Sequence, residues 1–240
     1  MCMADNRVKL FFNKLDYLKN SSDRIIVRSR IVKKYLGDLK NVSILDIGCG
    51  DGSLSLQYLD ESNYLTMVDI SDNMLRRVSE QIPNALKSNV RLVNDSFEII
   101  GDTEQFDVIL CVGVIAHVPV VDDLLKKIVT LLKPNGYLII ETTPNPYPIG
   151  KLLFPYYCLR SSITGQSPGY NKNRLKVADL IDCLIESEFS LIQSIRYSFP
   201  LPGMSHWPQS LKLRYTLFTL NNSLMSKFGS EHIFLFKKNK

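Results

Sequence analysis

Ile44-Leu45-Asp46-Ile47-Gly48-Cys49-Gly50-Asp51-Gly52-Ser53-Leu54 is the stretch on which the fold turns. An apolar, strand-like run ends in three glycines at every second position, with a helix expected beyond them. Glycines so placed let the backbone turn tightly and approach a ligand with no Cβ in the way. A glycine triplet alone is a weak signal; a preceding strand, a following helix and a suitably placed acid strengthen it. That acid is Asp69, at the end of the next apolar run. A carboxylate there accepts hydrogen bonds from both hydroxyls of a ribose. The alternative for Asp69 is to cap the helix that starts near Asp72.

Outward from the turn, short β-rich runs alternate with helical stretches. The runs are Val42–Ile47, Tyr64–Asp69, Val90–Asp95, Phe106–Val112 and Tyr137–Thr142. Continuous apolar runs of this kind suit strands covered on both faces, so the pattern predicts an α/β fold with a doubly wound, mainly parallel sheet. Helices are expected over Asp72–Gln81, closed by Pro83, and over Val121–Leu132, stopped by Lys133-Pro134-Asn135-Gly136. A helix over Val177–Ser187 and strands over Ser190–Ser198 and His232–Lys237 complete the alternation. Residues 7–40 read as one or two amphipathic helices, with Ile25, Ile26, Val27, Ile31, Val32, Tyr35 and Leu36 as the core-facing stripe. The division is thus an N-terminal helical cover, 1–40, and a ligand-binding domain, 41–240. Two aromatic-rich insertions, 144–173 and 199–230, follow strand ends. Ligands of doubly wound sheets bind beyond the carboxyl ends of strands, so both are expected to cover the site; padding of the fold or a homodimer contact is the alternative.

The chain has 240 residues, enough for one domain with insertions, and 45% of them are hydrophobic. No apolar run is long enough for a membrane span, and the N-terminus lacks a secretory pattern, so the expected location is the cytoplasm. The five cysteines form no CxxC or Cys/His cluster, and no metal site is expected. Residues 1–40 carry ten Lys/Arg against four Asp/Glu and residues 207–240 six against one, whereas 41–206 carry thirteen against nineteen. Basic ends suit an anionic acceptor, a phospholipid surface or RNA, or are simply solvated helix faces.

The turn itself discriminates between nucleoside cofactors. A dinucleotide site wants a glycine where Ser53 stands, and Asp51 sets negative charge beside the place of a pyrophosphate. An adenosyl group with a cationic amino-acid tail meets no such conflict, which favours S-adenosylmethionine over NAD. Here the chain resembles the class I S-adenosylmethionine-dependent methyltransferases. Asp46 to Gly52 resembles their first motif and Val68-Asp69-Ile70-Ser71-Asp72-Asn73-Met74-Leu75 their second. Asn94-Asp95-Ser96, Phe106-Asp107-Val108-Ile109 and Leu132 to Leu138 match the later ones. The resemblance covers about residues 40–145. It implies a seven-stranded Rossmann-like sheet whose last strand is antiparallel. It also implies that Gly48, Cys49 and Gly50 line the methionine part of the cofactor with Asp46 near its ammonium. Asp69 would hold the ribose, Ile70 and Met74 would sandwich the adenine, and Asp95 and Ser96 would bond its edge. Val112 and Gly113 would pass behind the cofactor.

Methyl transfer rests mainly on positioning, in a pocket poor in water; a hydroxyl acceptor also profits from a base. The candidate is His117, just after the fourth strand; members that act on small molecules often have a Leu-Glu-His-like tripeptide there. This chain has Ile115-Ala116 before its histidine, so no partner acid is present. The alternative for His117 is to order its loop, and His206 is a second candidate base. No Asn/Asp-Pro-Pro-aromatic motif or Pro-Cys nucleophile follows the fourth strand, and no RNA-binding module is apparent, which speaks against nucleic acid. The expected acceptor is a small molecule, sugar or lipid-linked compound, methylated at oxygen or nitrogen. Ile149 to Leu159, with Lys151 and Arg160, suits peripheral contact with a membrane. Two alternatives are a cofactor-binding scaffold without catalysis and an RNA methyltransferase.

Overall fold

The computed structural model describes residues 16–143, 176–199, 201, 203–222 and 224–240. Its centre is a seven-stranded sheet in the order β3-β2-β1-β4-β5-β7-β6, formed by β1 (Ser43–Ile47), β2 (Tyr64–Val68), β3 (Val90–Val93), β4 (Phe106–Cys111), β5 (Leu132–Thr142), β6 (Phe189–Tyr197) and β7 (Glu231–Lys238). β1 to β5 pair in parallel, and β7 runs antiparallel to both β5 and β6. This is the mainly parallel, Rossmann-like sheet with an antiparallel last strand that the alternation and the resemblance implied.

Five α-helices lie among the described residues: α1 (Asp16–Leu36), α2 (Asp72–Gln81), α3 (Val121–Leu131), α4 (Val177–Glu186) and α5 (Gln209–Asn221). Local signals set several of their ends. The Ser71 hydroxyl accepts a hydrogen bond from Met74 N and caps α2, which bears Met74, Leu75 and Val78 on its buried side. Asp122 and Asp123 occupy the first turn of α3, where the helix dipole favours acids. Helix α3 ends at Leu131, just ahead of the expected stop at Lys133–Gly136, but β5 starts directly at Leu132 and takes in those residues, earlier than the expected Tyr137. The irregularity survives as a register shift opposite Phe106 and Val108, with Asn135 at φ 63°.

Each sheet face has its own core. Leu45, Ile109, Ile140 and Phe234 pack with α3 and α4 on one side. Ile44, Leu110, Ile139 and Ile233 pack with Val27, Ile31 and Val32 of α1 on the other. Ile26 is the correction to the expected stripe: it is exposed, because a step of about 100° along the helix turns it away from its neighbour Val27. Segment 199–230, expected as cover, is described in large part; its α5 packs on α1. Segment 144–173 lies outside the described residues.

Gly229 fits β7 against β6. A Cβ there would lie 2.5 Å from both N and O of Tyr197, backbone atoms that cannot swing aside. Gly229→Ala is expected to cost about 1–3 kcal/mol, as overpacking does. Urea unfolding of the purified variant checks this, and a midpoint equal to the parent's would show that β6 gives way freely.

Candidate active site

The glycine turn leaves β1 by doubling back over the end of β2. Gly48 N and Cys49 N both donate to Val68 O, at 2.8 and 3.0 Å. Gly48 has φ 67°, and a Cβ on it would lie 2.5 Å from Cγ2 of Val114. A side chain is therefore excluded twice, by conformation and by space. Gly50, at φ 55°, has nothing within 4 Å of where its Cβ would be; here the missing side chain leaves open room at the cleft.

No α-helix follows the turn, contrary to expectation. Residues 51–55 form successive turns and lead into a single 3-10 turn, Leu56–Tyr58. Asp51 accepts hydrogen bonds from Ser53 N at 3.2 Å and Ser53 Oγ at 2.7 Å. Such local bonding competes with helix formation. The helix dipole that would hold a pyrophosphate is thus missing, which argues further against a dinucleotide.

Asp69 joins the turn to α2. Its Oδ2 accepts from Gly50 N at 2.9 Å and its Oδ1 from Ser71 N at 2.8 Å. Helix capping falls to Ser71, so Asp69 keeps oxygen lone pairs for a ligand in the cleft it lines. Burial raises its pKa above the ordinary carboxylate value, against the two backbone bonds.

One cleft gathers almost all the expected residues. Its lining includes Gly48, Cys49, Gly50, Asp69, Ile70, Met74, Asp95, Ser96, Val112, Gly113 and His117. The space amounts to about 1210 Å³ with its open mouth included. Asp95 Oδ1 accepts from Ser96 N at 2.7 Å, and Ser96 Oγ donates to Glu98 Oε2 at 2.9 Å. His117 sits in the loop beyond β4, its backbone N bonded to Val114 O at 2.8 Å. His206 lies in the short turn Met204–His206 and does not line this cleft.

Asp46 is placed differently from the rest. It is 3% exposed, lies beneath the turn and accepts a 2.6 Å hydrogen bond from Ser55 Oγ. It does not line the cleft. Burial pushes its pKa up to about 7, and Asp69 and Asp51 add to the effect. The folded chain therefore keeps a proton that the unfolded chain releases near 3.8. That stabilisation is full at lower pH and is lost as pH rises through about 7. Asp46→Asn, which still offers Ser55 an acceptor, is expected to match the parent in acid and to become increasingly the more stable protein up to neutrality. Urea midpoints across that pH window test it; a difference independent of pH would show that Asp46 does not titrate there.

Among the lining residues that the sequence reading missed are Ile25, Arg28, Phe97 and Glu98. Arg28 is the most informative. Its Nη2 lies 2.7 Å from Glu141 Oε2, and its Nε donates to Glu141 Oε1 at 3.0 Å and to Tyr197 Oη at 2.8 Å. The guanidinium also sits against Gly113, whose missing Cβ would be 3.4 Å from Nη1. Helical spacing puts residues 25 and 28 on one face, but nothing local says that this face meets the cleft. Among the described residues no group of His, Cys, Asp and Glu is arranged to hold a metal ion, and no helix is long and apolar enough to cross a membrane.

Residues 45–138 match the family model described as a methyltransferase domain. The ubiquinone biosynthesis O-methyltransferase of Rickettsia bellii (strain OSU 85-389) is 28% identical over 129 residues, 52% of this chain and 53% of that protein. The protein of the same name from Rickettsia akari (strain Hartford) is 24% identical over 188 residues, covering 75% and 71%. In the first of these alignments the chain spans about half the length of its relative. The magnesium protoporphyrin IX methyltransferase of Synechocystis PCC 6803, solved with bound SAH, superposes with a TM-score of 0.66 at 17% identity, covering 98% of this chain and 100% of that one. With its motifs in order, a methyltransferase domain matched over residues 45–138 and a seven-stranded sheet of the fold seen in solved methyltransferases, the chain is similar to the class I S-adenosylmethionine-dependent methyltransferases.

Proposed function

We propose that this protein catalyses transfer of a methyl group from S-adenosylmethionine to an oxygen of a small organic acceptor. The observation that carries the reading is the convergence of the glycine turn, Asp69, Asp95-Ser96 and the Val112–Pro119 loop on one cleft. The similarity to proteins named ubiquinone biosynthesis O-methyltransferase supports oxygen as the accepting atom and a small molecule as the acceptor.

The residues present fit the cofactor. Gly50 leaves room at the cleft, Asp69 offers lone pairs for two ribose hydroxyls, and Ile70 and Met74 provide apolar walls for an adenine. Asp95 and Ser96 offer polar groups for its edge. Gly48, Cys49 and Gly50 would lie along the methionine part. Arg28 brings a cation to the cleft, suited to a carboxylate, while Glu141 and Tyr197 hold it in place. Asp46 acts from below by shaping the turn. S-adenosylmethionine, when bound, supplies an electrophilic methyl carbon on a sulfonium sulfur. The chain's part is to align the acceptor, exclude water and take up a proton. His117 lines the same cleft and is the proposed base.

Parallel calorimetric titrations with S-adenosylmethionine, S-adenosylhomocysteine and NAD test the cofactor. Heat from the first two and none from NAD is expected; binding of NAD alone would overturn the reading. A methylation assay with phenols, sugars and lipid-linked acceptors then tests the reaction. His117→Ala is expected to lower turnover about 100-fold or more, within the usual range for a general base, with cofactor affinity close to the parent's. Full turnover in that variant would leave His117 only a part in ordering its loop.

A further inference from the structure

Helix α5 is apolar on two sides. Leu213, Leu217 and Leu220 on its inner side pack against the core shared with α1. The outer side presents Leu211 and Phe218, 45% and 61% exposed, and the chain just beyond the helix presents Leu224 and Phe228, 66% and 43% exposed. Leu211, Arg214 and Phe218 follow a helical repeat and all three are exposed. At 1.5 Å per residue the helical part of this row is about 10 Å long. Large apolar side chains exposed together on one helix side and in the turn that packs on it mark an interaction site more often than singly scattered ones do.

The charge around the row identifies the partner. Residues 189–230 contain no Asp or Glu but contain Arg196, Lys212, Arg214 and Lys227. Arg214 and Lys227 stand exposed among the four apolar side chains. Among the described residues neither of them pairs with a carboxylate. A second copy of the chain is a poor match, since a twofold contact sets a patch against itself and would bring cation to cation. An anionic bilayer answers both properties, offering acyl chains to Leu and Phe and headgroup charge to Arg and Lys.

We propose that the outer side of α5, with Leu224, Lys227 and Phe228, docks this protein on an anionic phospholipid surface. α5 packs on α1, the helix that carries Ile25 and Arg28 to the cleft, so the docked surface lies one helix layer from the site. The inference goes beyond the catalytic reading and does not depend on it, because docking needs neither cofactor nor acceptor.

The test is flotation of the full chain with phosphatidylglycerol/phosphatidylcholine vesicles and with pure phosphatidylcholine vesicles, at low and high salt. Binding to the anionic vesicles that weakens with salt is expected, with little binding to phosphatidylcholine. Phe218→Ser/Leu224→Ser and Arg214→Gln/Lys227→Gln are each expected to weaken it roughly tenfold or more. All four side chains are exposed, so thermal melts of both variants should match the parent's. Equal binding to both vesicle types, or anionic binding unmoved by the substitutions, would overturn the proposal. So would concentration-dependent dimerisation lost in Phe218→Ser/Leu224→Ser with no vesicle binding, which would make the face a contact between copies.

Discussion

Replacing Arg28 with methionine is expected to lower the unfolding free energy by about 3–5 kcal/mol, the usual effect of removing one partner of a buried ion pair. Arg28 is 13% exposed in its side chain and Glu141 is 2% exposed, and Tyr197 donates its hydroxyl to the same carboxylate. Glu231 faces this group as well; burial and then Glu141 raise its pKa, while Arg28 opposes the shift. Without the guanidinium, the buried Glu141 keeps Glu231 as a like neighbour and loses the cation bonded to it, while Arg24 still acts on Glu231. Adding Glu141→Gln removes the stranded charge and keeps an acceptor for Tyr197, so the double variant is expected to recover most of the stability. Cofactor affinity is expected to stay low in both variants, since neither puts a cation in the cleft. Urea unfolding and calorimetric titration separate the two effects. A single variant within about 0.5 kcal/mol of the parent, the range of ordinary surface changes, would show that the pair contributes little.

Asp69→Ala is expected to weaken S-adenosylmethionine binding about 100-fold, or about 2.7 kcal/mol. The ribose would lose its acceptor, and Gly50 N and Ser71 N would lose theirs together. Asp69→Asn keeps one side-chain oxygen and is expected to fall between the parent and the alanine variant. Titration of the folded variants checks the order. An alanine variant with parental affinity would remove Asp69 from the site and leave it a brace between the turn and α2.

The sequence by itself determined the features that depend on neighbours in the chain. Helix α2 runs over the expected Asp72–Gln81 because Ser71 and Pro83 act within a turn of its ends. The strands are legible because burial on both faces demands continuous apolar runs. Asp69 was legible because a strand of fixed rise, entered from a turn of fixed length, leaves little freedom in where it ends. Where local bonding competed with periodicity, the reading failed: Asp51 and Ser53 replace the helix expected after the glycines with turns.

Only the tertiary structure decided which distant groups meet. Arg28 reaches Glu141 across 113 residues and Tyr197 across 169. Gly229 is needed because β6 brings the backbone of Tyr197 against it. Asp46 lies beneath the turn and not in the cleft, where its carboxylate accepts a hydrogen bond from Ser55 Oγ, nine residues on. The outer row of α5 became visible only when α1 had claimed the inner one. Periodicity tells which residues share a face, whereas packing between elements far apart in the chain decides what that face touches.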